Sequence, residues 1–489
     1  MQIKYICTLT LGVMLSGCGL WGPNYAKPTV DTPESWSSAD NLSASEMNAS
    51  LPDTAWWEKF NDKSLNSLMA QALKNNLSVQ QSIGSIIQAQ GYLEQIQMGW
   101  VPTLGLSPGY STSGTFGNGG LSGGASSATV GNNVGYNVGL VPTYTLNIFQ
   151  QLRNQEAAKA QLYAAQATKD AMRLTILSQV SGSYFTLSEL NYQLELQESL
   201  VADTGKLYEL AGSQYKEGYI SLLSLQTYQQ NYQTAKVQIP VIKNNIVSTQ
   251  NALQVLINRN PGPIMLGSNF NNIAMDGIIP ANIPSTVLKQ RPDVVSSEQQ
   301  LIAANADIGV ATSVFFPTIS LTGGLGTATS SLDGLFNDTN DFWKFSSTAT
   351  FPLVNLAAFG AIKSAKGAYY TAYYNYIYTI RNAFSQVDSG LSAHEKITAS
   401  YNEQAKVYDS TKVAYGLSVD NFNKGLYSKL DELNSKVTMD SAAITLASLK
   451  LQQLQTIVNL YQYLAGGYNV NNTETPYKFG DARDAGDWY

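Results

Sequence analysis

Two cysteines, Cys7 and Cys18, and one histidine, His394, are the only thiols and imidazole in the chain. Nucleophilic catalysis needs a nucleophile beside a base, and a thiolate or imidazole metal site needs clustered Cys and His. These three residues assemble neither, and no carboxylate pair stands out to replace them. The nine methionines are scattered, so they offer no relay for copper or silver. The chain is therefore read as no enzyme, with no catalytic residue, no metal site and no cofactor apart from a covalent lipid. Cys18 is where side-chain chemistry is expected. It closes the stretch MQIKYICTLTLGVMLSGC, in which Lys4 supplies a short positive region ahead of an apolar run. The run is too short to span as a mature helix and reads as a secretory signal over residues 1–17.

Leu15-Ser16-Gly17-Cys18 resembles the lipobox of bacterial lipoproteins. That resemblance implies cleavage before Cys18, then acylation of its sulfur and its new amine. Gly19 in place of Asp after the cysteine fits sorting to the outer membrane, by the same resemblance. Charged residues make up 13% of the chain, about half the usual share. Gly, Ser, Asn, Gln and Tyr are plentiful, which suits a wall with lipid or protein on one side and water on the other. A net charge of −6 and the lack of a basic run argue against nucleic-acid binding. No later run approaches the roughly 18 apolar residues of a transmembrane helix. If this secreted, lipidated chain spans a membrane, it does so with strands.

The elements follow in order. Residues 18–55 are rich in Pro, Ser, Asp and Asn and read as an extended tether that includes Gly22-Pro23-Asn24-Tyr25-Ala26-Lys27-Pro28. From about Ser64 to Gly99 the spacing of Leu65, Leu68, Met69, Ala72 and Leu73 predicts a helix. After Trp100 the period becomes two, which predicts strands at about 102–111 and 134–146 around the Gly/Ser/Asn-rich loop Ser111–Asn133. Trp100, Tyr110 and Tyr144 fall near strand ends, where interfacial aromatics belong. Leu140–Leu162 then passes from strand to helix without a Gly or Pro break, and Thr348–Tyr369 repeats the joint. A helix over Gln150–Lys216, on the order of 100 Å long, carries two apolar stripes. One runs through Ile176, Val180 and Leu187, the other through Leu196, Leu200 and Leu207. Two stripes suit a helix with a neighbour on each side, as in the wall of a tube. The chain turns near Gly218 and returns through Leu222–Asn258, with a kink expected at Pro240.

The plan then repeats. Pro317, Pro352 and Gly425 echo Pro102, Pro142 and Gly218 at offsets of 215, 210 and 207 residues, which reads as a tandem duplication. The expected organisation is a first repeat over 56–260, a linker over 261–284, a second repeat over 285–466 and a polar tail over 467–489. The second repeat holds strands at about 317–327 and 345–354 and a hairpin tip near 425. Four strands per chain cannot close a membrane barrel, since the smallest types use about eight. Open edges are not tolerated in lipid, so the chain must oligomerise.

The lipobox, the Gly22–Pro28 segment, the duplicated strand–helix plan and the paired glycine turns resemble the TolC-like outer-membrane efflux proteins, in their lipidated OprM-like branch. The resemblance spans about Gly22 to Tyr468. It implies a mixed α and β fold: a homotrimer whose four strands per chain make a twelve-stranded barrel continuous with a helical barrel in the periplasm. It implies a periplasmic adaptor and an inner-membrane RND-type pump as partners, outer-membrane lipid around the barrel, and efflux of drugs or other small molecules. In that family carboxylates after the second glycine turn ring a constriction. The matching positions are Asp431 and, as a departure, Asn434, with Ser224 at the first-half equivalent. Asp431 reads either as part of such a ring or as an ordinary solvated helix residue. Phe422 lacks the hydroxyl of the family's latch tyrosine. Gly218, Tyr219, Gly425 and Leu426 read as backbone turns and as adaptor-docking tips. Tyr369, Tyr370, Tyr373, Tyr374, Tyr376 and Tyr378 read first as packing between helices and second as a substrate lining, and His394 as a helix-surface residue. The other functional readings are a type I protein-secretion duct and a structural trimeric coiled-coil surface lipoprotein.

Overall fold

The computed structural model describes residues 22–31, 55–113, 133–275, 291–335, 340–352 and 354–465. The signal, Cys18, the rest of the tether, most of the loop between the first two strands, the linker beyond 275 and the tail lie outside the described residues. The elements are α1 (Lys63–Asn75), α2 (Leu77–Met98), β1 (Thr103–Ser113), β2 (Asn133–Leu146), α3 (Ile148–Lys216), α4 (Leu222–Leu256), α5 (Pro292–Thr312), β3 (Thr318–Thr329), β4 (Asp341–Thr350), α6 (Leu356–Asn423) and α7 (Lys429–Tyr463). They fall into two compact units, one built on 88–163 and 299–374, the other on 29–87, 164–298 and the chain from Asn375.

In the first unit the strands form one antiparallel sheet in the order β1-β2-β3-β4. A single residue, Asn147, joins β2 to α3. Its side-chain oxygen accepts from the Gln150 amide at 3.1 Å, and its amide nitrogen donates to the Ser313 carbonyl at 3.2 Å. The N-terminal residue of the tether's glycine segment is fastened here. Gly22 has φ +89° and lies where a Cβ would come within 2.7 Å of the Gly309 Cα, so both the conformation and the close approach require glycine. Asn305 donates to the Pro23 carbonyl at 2.9 Å, and the buried Arg153 reaches the Gly22 carbonyl and Asn24.

The second unit has an aromatic and aliphatic core. Trp56 stacks on Tyr461 at 4.7 Å and Phe60 meets Phe185 edge-on at 4.8 Å. Leu65, Leu68, Met69 and Ala72 bury the α1 stripe against Val180, Tyr184 and Leu187 of α3 and Leu454, Ile457 and Val458 of α7. Asp62 caps α1 through the Ser64 and Leu65 amides, and its second oxygen accepts from the buried Tyr184 hydroxyl at 2.7 Å. The helix expected from Ser64 to Gly99 is two helices. Asn76 ends α1 and caps α2 through the Ser78 and Val79 amides, while its own amide donates to the Leu256 carbonyl. A polar residue able to cap interrupts an apolar period that continues across it. Pro240 lies inside α4 without breaking it. The return helix ends at Leu256, short of the expected Asn258, which takes φ +57°.

Candidate functional site

Two features carry the functional geometry: the face of the sheet and the tips of the hairpins. In the sheet, the register puts Leu106 opposite Leu140, Leu140 opposite Leu325 and Leu325 opposite Trp343. Leu104, Leu106, Tyr110, Leu325, Trp343 and Phe345 are all exposed on this side. The residues between them turn the other way, in rows such as Thr103, Thr143, Thr322 and Ser346. The Thr103 and Thr143 hydroxyls meet at 2.7 Å. Because side chains alternate along a strand, one face is mainly apolar and the other mainly small and hydroxylated, with Val141, Phe342 and Lys344 as exceptions on the second.

Tyr110 and Tyr144 lie on the apolar face, Tyr110 with its ring 5.1 Å from Tyr136, while Trp100 sits in the turn after α2. The fourth strand begins at Asp341, four residues ahead of the expected 345–354. The earlier start adds Trp343, 81% exposed, to the apolar face. Asp341 and Lys344 mask the alternation there, and only the aromatic pair Trp343 and Phe345, two apart, signals it.

Both hairpins turn through the same motif. Gly218 has φ +78° and Gly425 φ +75°. At the first tip the Tyr219 amide donates to the Gln214 carbonyl and the Gly218 amide to Tyr215; at the second, Leu426 donates to Asn421 and Gly425 to Phe422. These are paired Schellman bonds that satisfy the last carbonyls of α3 and α6. Serine then caps the return helix in each case, Ser221 for α4 and Ser428 for α7. Tyr219 and Leu426 protrude, 80% and 71% exposed.

The third residue of the return helix differs. In α4 it is Ser224, whose amide donates to the Ser221 hydroxyl oxygen at 3.1 Å. In α7 it is Asp431, which accepts from the Ser428 hydroxyl at 2.6 Å and the Ser428 amide at 3.0 Å, completing a capping box. Those two hydrogen bonds hold the Asp431 carboxyl below its ordinary pKa. Asp431 is exposed and Asn434 half-buried. Phe422 lies under the Lys429 ammonium at 4.9 Å.

One charged cluster escapes the sequence. On α3 and α7, Lys436 is ion-paired with Asp203 and approaches Asp440 at 3.4 Å, while the Ser199 hydroxyl donates to Asp440 at 3.2 Å. Asp203 and Asp440 are both buried. Burial lifts the Asp440 carboxyl despite the Lys436 charge. Burial alone would lower the Lys436 ammonium, but Asp203 and Asp440 outweigh it and hold it above its ordinary value. Along the chain each of these residues looks like solvated helix charge; only the i, i+4 spacing of Lys436 and Asp440 was visible. Of the tyrosine patch, Tyr376 is buried while Tyr370, Tyr374 and Tyr378 are exposed.

A family model described as outer membrane efflux protein matches residues 68–259 and 283–466. The chain belongs to the outer membrane efflux protein family. A probable outer membrane lipoprotein of Salmonella typhimurium, SilC, is 27% identical over 470 residues, covering 96% of this chain and 99% of that protein. The toluene efflux pump outer membrane protein TtgI of Pseudomonas putida is 28% identical over 474 residues, covering 94% and 97%. Among solved structures, the CmeC outer membrane channel of Campylobacter jejuni superposes with a TM-score of 0.81 at 23% identity, covering 93% of this chain and 96% of that one. This efflux protein thus has the TolC-like fold and an outer-membrane location. Its family transports rather than catalyses.

Proposed function

We propose that three copies of this efflux protein close a twelve-stranded barrel in the outer membrane and continue it as a helical tube in the periplasm, with the twofold sequence repeat supplying two hairpins per chain. The conduit receives drugs or other small molecules from a periplasmic adaptor and an inner-membrane RND-type pump. The observation that carries this reading is the four-stranded sheet with a continuous apolar face, in which β1 and β4 each have one hydrogen-bonded neighbour among the described residues. In hydrocarbon every backbone group needs a partner, so the two edges call for strands from other copies. Strand lengths of 10 to 14 residues suit a tilted crossing of the bilayer. Three chains then supply an even strand number with room for an open lumen.

In this assembly lipid on Cys18 anchors each tether at the outer membrane, and Trp100, Tyr110 and Tyr144 sit at the membrane boundaries. Three Asp431 carboxylates gather around the axis and favour cations; Asn434 and Ser224 leave the ring without a second carboxylate. Gly218, Tyr219, Gly425 and Leu426 present the adaptor with repeated tips. The substrate is left at the level of a small molecule, since the toluene named for TtgI belongs to that protein. The test is the protein mass of the detergent-solubilised particle, by light scattering corrected for bound detergent. Three chains per particle are expected, and a folded monomer would sink the closed barrel.

A further inference from the structure

Among the charged residues that α3 and α7 bury besides the Asp203–Lys436–Asp440 cluster are an acid and a base at matching heights. Glu189 and Lys450 are 4% and 6% exposed. The contact between the helices is pinned on either side of them. Gln455 donates to the Thr186 hydroxyl at 3.3 Å, and Ser199 donates to Asp440 at 3.2 Å. Numbers run in opposite directions along the two helices, so Glu189 lies at the level of Lys450 as Asp203 lies at the level of Lys436. Fourteen residues separate the acids on α3 and fourteen the bases on α7, which is two heptads on each side.

One pair is made and the other is not. Among the described residues neither Glu189 nor Lys450 joins an ion pair. The Lys450 ammonium instead donates to the Asn271 carbonyl at 2.8 Å and lies 5.5 Å over the Phe270 ring. Phe270 is itself buried, with its ring 6.1 Å from that of Tyr192, one turn along α3 from Glu189. The short turn Phe270–Asn272 thus touches α3 on one side and the lysine on the other. Burial leaves Glu189 pushed up to about 7 and Lys450 pushed down to about 8, with no opposite charge among the causes. Of the groups that the turn contacts, Tyr192 on α3 and Lys450 on α7 are titratable. From the turn, an aromatic ring and a carbonyl face the amine.

We propose that Glu189 and Lys450 are a second acid–base pair of the α3–α7 seam, held open by the Phe270 wedge, and that withdrawal of the Phe270–Asn272 turn closes it. The turn lies outside both hairpins, whereas α3 belongs to the first and α7 to the second. Whatever moves the turn therefore changes how tightly the two hairpins are held together. Closure replaces a carbonyl and a ring face by a carboxylate as the partner of Lys450, and gives Glu189 the counter-charge it lacks.

The test reads the Lys450 amine directly, by competitive acetylation of the intact solubilised protein with acetic anhydride across a pH series and mass spectrometry of the Lys450 peptide. In the parent chain Glu189→Gln is expected to leave the Lys450 titration in place, because the pair is open. In Phe270→Ala the pair closes and the titration moves up by a unit or more, about a tenfold drop in reactivity at fixed pH. Adding Glu189→Gln to Phe270→Ala cancels that rise. Where Phe270→Ala does not assemble, Phe270→Leu carries the same comparison. The proposal is overturned by no rise on removing Phe270, by a rise that survives Glu189→Gln and so reports only entering water, or by a Lys450 titration that already falls in the single Glu189→Gln variant.

Discussion

The two hairpin tips share a backbone and differ in charge. Each glycine takes the same positive φ, each makes the same pair of bonds back to the preceding helix, and each is followed by a serine cap. Past the cap, α4 continues with Ser224 while α7 has Asp431, a Lys429–Glu432 pair at 2.6 Å and then Lys436 in the buried cluster. The turn is therefore a folding device needed twice, whereas the carboxylate after the cap and the lysine of the buried cluster belong to the second hairpin, with Asp203 reaching in from the first. A functional reading that treats the tips as equivalent repeats misses this asymmetry.

The asymmetry should appear most strongly at Lys436. Lys436→Met leaves Asp440 buried without its cation and Asp203 with only Lys206, at 3.2 Å, and is expected to cost about 3 kcal/mol. The matching position eleven residues past the first glycine is Gln229, where the same change to Met should stay within about 0.5 kcal/mol. Denaturant or thermal unfolding of the two variants decides, and equal losses would break the comparison. Next come the glycines. Gly218→Val and Gly425→Val force a β-branched residue to positive φ, at about 1–2 kcal/mol each. Here the two tips should agree, since nothing lies within 4 Å of a Cβ built at either glycine; a clear difference would mean that one tip is held by more than its backbone.

The caps rank third. Ser428→Ala removes a reciprocal box and should cost about 1 kcal/mol, somewhat more than Ser221→Ala, which loses a single amide bond. The smallest structural effect carries the sharpest functional contrast. In planar bilayers Asp431→Ala should reduce cation preference by roughly twofold or more, while Ser224→Ala leaves it unchanged. Because the Ser428 bonds depress the Asp431 carboxyl, its charge persists below the usual carboxylate range and is lost only as pH falls through the lowered value. In Ser428→Ala the selectivity should therefore titrate at a higher pH than in the parent channel. Titration at the same pH would detach Asp431 from the selectivity.

What could be read from the chain alone follows the reach of each interaction. Strand alternation through Leu104, Leu106 and Tyr110 is local and visible, as is the glycine–serine spacing of the tips. Where charge intrudes, the same pattern fails, so Asp341 and Lys344 hid the start of β4. Asn76 is hidden in the sequence because the apolar period resumes on its far side and its capping role depends on the turn it makes. The family's carboxylate position points to Asp431 but gives no sign that the Ser428 amide and hydroxyl both donate to one of its oxygens. The Lys436 cluster was invisible for a simpler reason: its partner Asp203 lies 233 residues away in sequence, and a single chain carries no signal of that pairing.

The lone neighbours of β1 and β4 have a consequence for inheritance. If the last ladder bonds of the barrel form only between chains, a chain with a damaged edge does not fail alone. Mixed at equal levels with the normal product in a threefold assembly, it leaves only about one assembly in eight free of it. Edge lesions in β1 or β4 should therefore be dominant over a normal copy in the same cell, while lesions that abolish synthesis of the chain should be recessive.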